Sequence, residues 1–220
     1  MVPFLHITTR IEGRPNEDLF QKMGGRGFPT LKFLDADGNA LGEPTGREVA
    51  DFESTLVTLM SLKDLENRIE AGEEGLEDDL FLAKLRMGAY TYEDAKANAA
   101  KFNELTDAEK KEVAQILINL EIDSIMSGID SKEAADAATQ TFLAFLEKDK
   151  IPTGDALGSF WGMIMEHAET KKDVKLFSRA LKGLEAEYGH MEQAKGFFDA
   201  KRQALEDMKA ALKEEAEIKS

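Results

Sequence analysis

The side chains that carry most protein chemistry are sparse in this chain: among 220 residues there is no cysteine. Without a thiol there is no thiolate nucleophile, no disulfide, no Cys-ligated zinc and no iron–sulfur cluster. Three histidines remain, His6, His167 and His190, on three separate segments. None stands four residues from another, the spacing that sets two imidazoles on one helix face, so no metal site is expected. His6 reads as a hydrogen-bonded residue of a strand rather than a base. His167 falls in the last turn of an expected helix, where a cation complements the helix dipole, and His190 falls in a turn. Glu73, Glu74, Glu77, Asp78 and Asp79 form the densest acidic cluster. They sit near an expected helix start, where each carboxylate is favoured by about 0.3–1 kcal/mol, and read as a solvated cap.

Two further motifs fail on spacing. Asp35-Ala36-Asp37-Gly38-Asn39 has the composition of a calcium loop, but that loop needs Gly at position six and Glu at position twelve. Counted from Asp35 those positions are Ala40 and Gly46, so the segment reads as an Asp-Gly hairpin turn. Gly24, Gly25 and Gly27 are not followed by the Gly-Lys-Ser/Thr of a phosphate loop. The residues therefore nominate no catalytic group and no cofactor.

The formal net charge of −15 argues against a nucleic-acid surface and against adsorption to anionic membranes, both of which reward clustered Lys and Arg. No apolar run approaches the roughly 18–20 residues that cross a bilayer. The first residues, Met1-Val2-Pro3-Phe4-Leu5-His6, show no basic region followed by an apolar stretch, so no signal peptide is visible.

The elements that would position any site fall into two regions, 1–61 and 62–220. In the first, Phe4–Ile11 reads as a strand, Glu17 to about Met23 as a short helix, Thr30–Leu34 as a second strand and Ala40–Gly42 as a third. Arg47–Met60 then carries Val49, Phe52, Leu56, Val57, Leu59 and Met60 as a helical stripe. In the second region Pro152 is the only proline. Helices are expected at about 62–71, 76–88, 92–104, 107–127, 131–148, 154–169, 171–188 and 191–217. Phe142, Phe145, Leu146, Phe160, Trp161, Ile164 and Met165 read as core, with Phe197 and Phe198 beside a stripe of Leu205, Met208 and Leu212. Segments opening at Tyr92, Ser131 and Lys171 recur about every 39–40 residues, a helical-repeat period. Gly189-His190-Met191 follows in the manner of a tetratricopeptide turn. The overall class is α+β: a small β-α-β-β-α unit followed by an all-α repeat or bundle.

The run Arg26-Gly27-Phe28-Pro29-Thr30-Leu31-Lys32-Phe33-Leu34, its Asp-Gly turn and the flanking elements resemble the C-terminal half of a thioredoxin-like domain, over residues 2 to about 60. The resemblance implies a cis peptide before Pro29 and a peptide-binding site at Phe28, Pro29 and Thr30. It also implies the family's frequent export. The Cys-x-x-Cys helix of the family has no counterpart here, so thiol–disulfide exchange is not expected. The resulting expectation is a redox-inactive, protein- or peptide-binding or scaffolding module. It would need no cofactor and would bind a protein or peptide partner, with a homodimer through unpaired strands as one form. The alternative is a fragment of a thiol–disulfide oxidoreductase whose Cys-bearing half is missing.

Overall fold

Asp35 organises the first well-defined turn. Its Oδ1 accepts hydrogen bonds from the N–H groups of Asp37 (2.9 Å) and Asn39 (2.8 Å), and its Oδ2 accepts from Asn39 Nδ2 (2.9 Å). Gly38 supplies the positive φ of +86° that the reversal requires. The turn joins β1 (Phe33–Leu34) to β2 (Ala40–Gly42) as an antiparallel hairpin, with Phe33 opposite Gly42 and Leu34 opposite Ala40. One residue more on β2 than on β1 makes a bulge that leaves Leu41 exposed. The computed structural model describes residues 18–23, 29–44, 46–102 and 105–218. The expected strand Phe4–Ile11, His6, the glycines at 24, 25 and 27, and Phe28 lie outside these.

The described residues form a mostly helical α+β chain that divides between Tyr90 and Thr91 into two compact units. The first contains α1 (Leu19–Lys22), the hairpin, α2 (Val49–Glu70) and α3 (Glu77–Arg86). The second strand expected at Thr30–Leu34 is shorter than read. Beyond Phe33 the partner side reaches Pro44, which has no N–H to give to a ladder. The pairing continues there only through side chains, Lys32 Nζ lying 2.8 Å from Glu43. The two helices expected at 47–60 and 62–71 are one. No Gly or Pro interrupts 49–70, and Leu59 and Leu62 are both buried on either side of Ser61. The change of pattern at residue 61 thus falls inside α2. Helix α3 packs on α2, burying Phe81, Leu82 and Leu85, with Lys84 of α3 reaching Glu66 of α2 at 2.9 Å.

The second unit contains α4 (Tyr92–Ala99), α5 (Asp107–Ser127), α6 (Lys132–Glu147), α7 (Asp155–Lys171), α8 (Val174–Tyr188), a 3-10 turn at Glu192–Ala194 and α9 (Lys195–Ile218). Its helix starts are written in side-chain caps. Thr91, Thr106, Ser131 and Asp173 each accept a bond from the backbone N–H three residues on. Gly128 and Gly189 close α5 and α8. Of the expected core residues Phe142, Phe160, Trp161, Ile164 and Phe198 are buried, and Phe177 of α8 joins them, each contributing on the order of 1.5–3 kcal/mol. Phe197 and Leu212 of the expected α9 stripe are instead exposed. Gly183 lets α8 close on α7, because a Cβ there would stand 2.4 Å from the Trp161 ring. The α6–α7 loop is pinned to α5: Asn119 accepts from Thr153 N (2.9 Å) and donates to Thr153 Oγ1 (3.1 Å), while Gln115 donates to the Ile151 carbonyl (3.1 Å).

Candidate functional site

Helix α2 presents Phe52, Leu56, Leu59, Met60 and Lys63 at spacings of three and four, which places them on one face. Opposite runs the segment Thr30–Ala36, which includes β1. The two are fastened at their base, where the rings of Phe33 and Phe52 meet edge-on with centroids 6.1 Å apart. Between them lies a groove of ≈ 830 Å³ in the first unit. Its floor is apolar, with Phe33 and Leu59 buried and Phe52 and Leu56 half-buried. Its rim exposes Leu34 (40%), Leu41 (41%) and Met60 (65%). Among the described residues β1 pairs with β2 alone.

Of the residues singled out by the thioredoxin-like resemblance, Thr30 is half-buried and lines this groove, Pro29 is exposed beside it, and Phe28 lies outside the described residues. The apolar residues that make the groove were visible as the stripe of α2. Their exposure was not, because a stripe reads as core until something is known about what covers it.

Charge in the groove is unequally compensated. The Asp35 carboxylate is turned into its own hairpin, and the bonds from Asn39 and then from Asp37 hold its pKa below the ordinary value. Lys32 is paired with Glu43. Lys63 Nζ stands 3.7 Å from Glu66 Oε2, on a carboxylate that Lys84 already holds at 2.9 Å.

The second unit has a cleft of ≈ 730 Å³ between the start of α6 and the end of α7. It brings His167 together with Asp136, Gln140, Glu166, Thr170 and Lys132. Asp136, Glu166, Thr170 and Lys132 are exposed, and the buried Thr139 hydroxyl bonds to the Ala135 carbonyl at 2.9 Å. No group of three metal-type ligands occurs among the described residues. His190 is exposed and distant in sequence from this cleft. The acidic cluster divides: Glu77, Asp78 and Asp79 form the first turn of α3, and Glu73 accepts from two of the guanidinium nitrogens of Arg68, Nε (2.8 Å) and Nη2. No helix among the described residues is long and apolar enough to cross a membrane.

Comparison of the chain with protein-family models, with curated proteins and with solved structures gave no match.

Proposed function

We propose that the chain is a non-catalytic protein-binding module in which an extended segment of a partner lies along β1, against α2. The observation that carries this reading is the groove itself. One wall is a strand whose second edge is unpaired among the described residues, the other is an apolar helix face, and the rim exposes Leu34, Leu41 and Met60. An incoming strand would take main-chain hydrogen bonds from the edge of β1 and set alternate side chains into the groove. Contiguous apolar patches are costly to leave bare, so the retention of this one favours a binding role.

A thioredoxin-like origin for this unit agrees with the same geometry, since in that family the residues at Phe28, Pro29 and Thr30 receive an extended peptide. Without cysteine such a module carries out no thiol–disulfide exchange of its own. A partner of different sequence is favoured over a second copy, because two chains of −15 repel one another.

The test is selection of a random decapeptide library on the full chain, followed by titration of the enriched peptides by fluorescence anisotropy. Peptides that bind the wild type and fail to bind Leu34→Asp and Met60→Asp support the reading. Enriched peptides indifferent to both substitutions contradict it.

A further inference from the structure

We infer that the segment seated in the β1–α2 groove carries a carboxylate, and that Lys63 receives it; this rests on the docking reading above. Three observations lead there. Lys63 is the last residue of the groove-facing stripe of α2, and its side chain is 66% exposed. Its salt-bridge partner, Glu66, is shared: Lys84 holds that carboxylate at 2.9 Å, while Lys63 reaches it only at 3.7 Å. The other charges lining the groove are already satisfied: Lys32 by Glu43 at 2.8 Å, and Asp35 by three hydrogen bonds inside its own turn.

The balance in this groove is therefore the reverse of the chain as a whole. In a protein with 43 acidic and 28 basic residues, the most loosely paired charge among the described residues lining this apolar surface is an ammonium. A neutral strand laid over the groove would remove water from Lys63 and return nothing for it. An Asp or Glu beside the apolar positions would replace that water with a charge-assisted bond. A basic residue there would be repelled. The partner is accordingly an extended, apolar segment with an acidic residue next to its anchoring side chains.

The experiment uses the peptides enriched from the decapeptide library, titrated against the full chain, Lys63→Gln and Lys63→Glu. Circular dichroism checks folding, which substitution of so exposed a side chain should leave intact. Groove-dependent peptides should contain Asp or Glu. Replacing that residue by Gln should weaken binding about two- to fivefold in the wild type, the range of an exposed ion pair, and should have no effect in Lys63→Gln. Lys63→Glu should invert the preference toward peptides with Lys at the same position. Groove-dependent peptides with no acidic residue, or an equal loss in wild type and Lys63→Gln, would overturn this inference while leaving the docking groove standing. If no enriched peptide depends on Leu34 or Met60, the groove reading fails and this inference with it.

Discussion

Phe33 of β1 and Phe52 of α2 meet edge to face, ring centroids 6.1 Å apart, and this contact holds the hairpin against the helix to form the groove. A strand of two residues cannot hold its position by main-chain bonds alone, so side-chain contacts such as this aromatic pair must fasten it. Edge-to-face pairs contribute about 0.5–1.5 kcal/mol beyond the area they bury.

Phe52→Ala should therefore destabilise the first unit by about 2–3 kcal/mol, the lost burial of a half-exposed ring plus the lost pair. Amide exchange at Phe33 and Leu34 checks it, and should quicken more than exchange in α5 or α7. Met60→Asp should leave both rates unchanged, since that side chain is largely in water.

Gly183→Ala should destabilise the second unit by about 1–3 kcal/mol, the usual range for overpacking. The new methyl would fall 2.4 Å from Trp161 Cε2 and Nε1. Trp161 is the only tryptophan, so a shift of its emission with urea reports this site alone.

Asn119→Ala should release the α6–α7 loop. It removes the acceptor of the Thr153 N–H and the donor to Thr153 Oγ1. The expected loss is about 1–2 kcal/mol for two partly exposed hydrogen bonds. Faster exchange at the Thr153 amide is the measurement.

Acid should weaken the junction of α2 and α3. The hydrogen bond from Lys84, then its charge and that of Lys63, hold the Glu66 carboxyl below its ordinary value of 4.5 against the opposing effect of burial. A carboxylate lowered by folding contributes stability above its unfolded pKa, and that contribution disappears as pH falls through the folded value. Lys84→Met should thus lower the urea midpoint at pH 7, by the equivalent of about 1 kcal/mol or less for a pair this exposed. At pH 3 the difference from wild type should be smaller.

Helices were legible in the sequence wherever a cap and a stripe agreed. The helix expected at 107–127 is kept to the residue, and the one expected at 131–148 runs from Lys132 to Glu147 behind its Ser131 cap. The break expected at Ser61 was not real, because a change in composition is no substitute for a Gly or Pro that stops a helix. Strand length was misjudged for the opposite reason: Thr30–Leu34 has strand composition, but the ladder depends on its partner, and Pro44 ends it. Exposure was the least legible quantity. Leu59 and Met60 are neighbours on one stripe, yet only the fold shows that Leu59 is floor and Met60 is rim. Phe197 was read as core with Phe198, but one side of α9 turns Phe197 to solvent. The convergence of His167 with Asp136 across α6 and α7 had no local signal, since the two are 31 positions apart.

The central claim is that partners dock along β1 and α2. Methyl and amide resonances of the isotope-labelled full chain, followed as an enriched peptide is added, test it most directly. Shifts at the Leu34, Leu56 and Met60 methyls and the Leu31–Leu34 amides, with those of the α6–α7 cleft unmoved, are the predicted result. Shifts confined to the residues around His167, with the groove resonances silent, would contradict it.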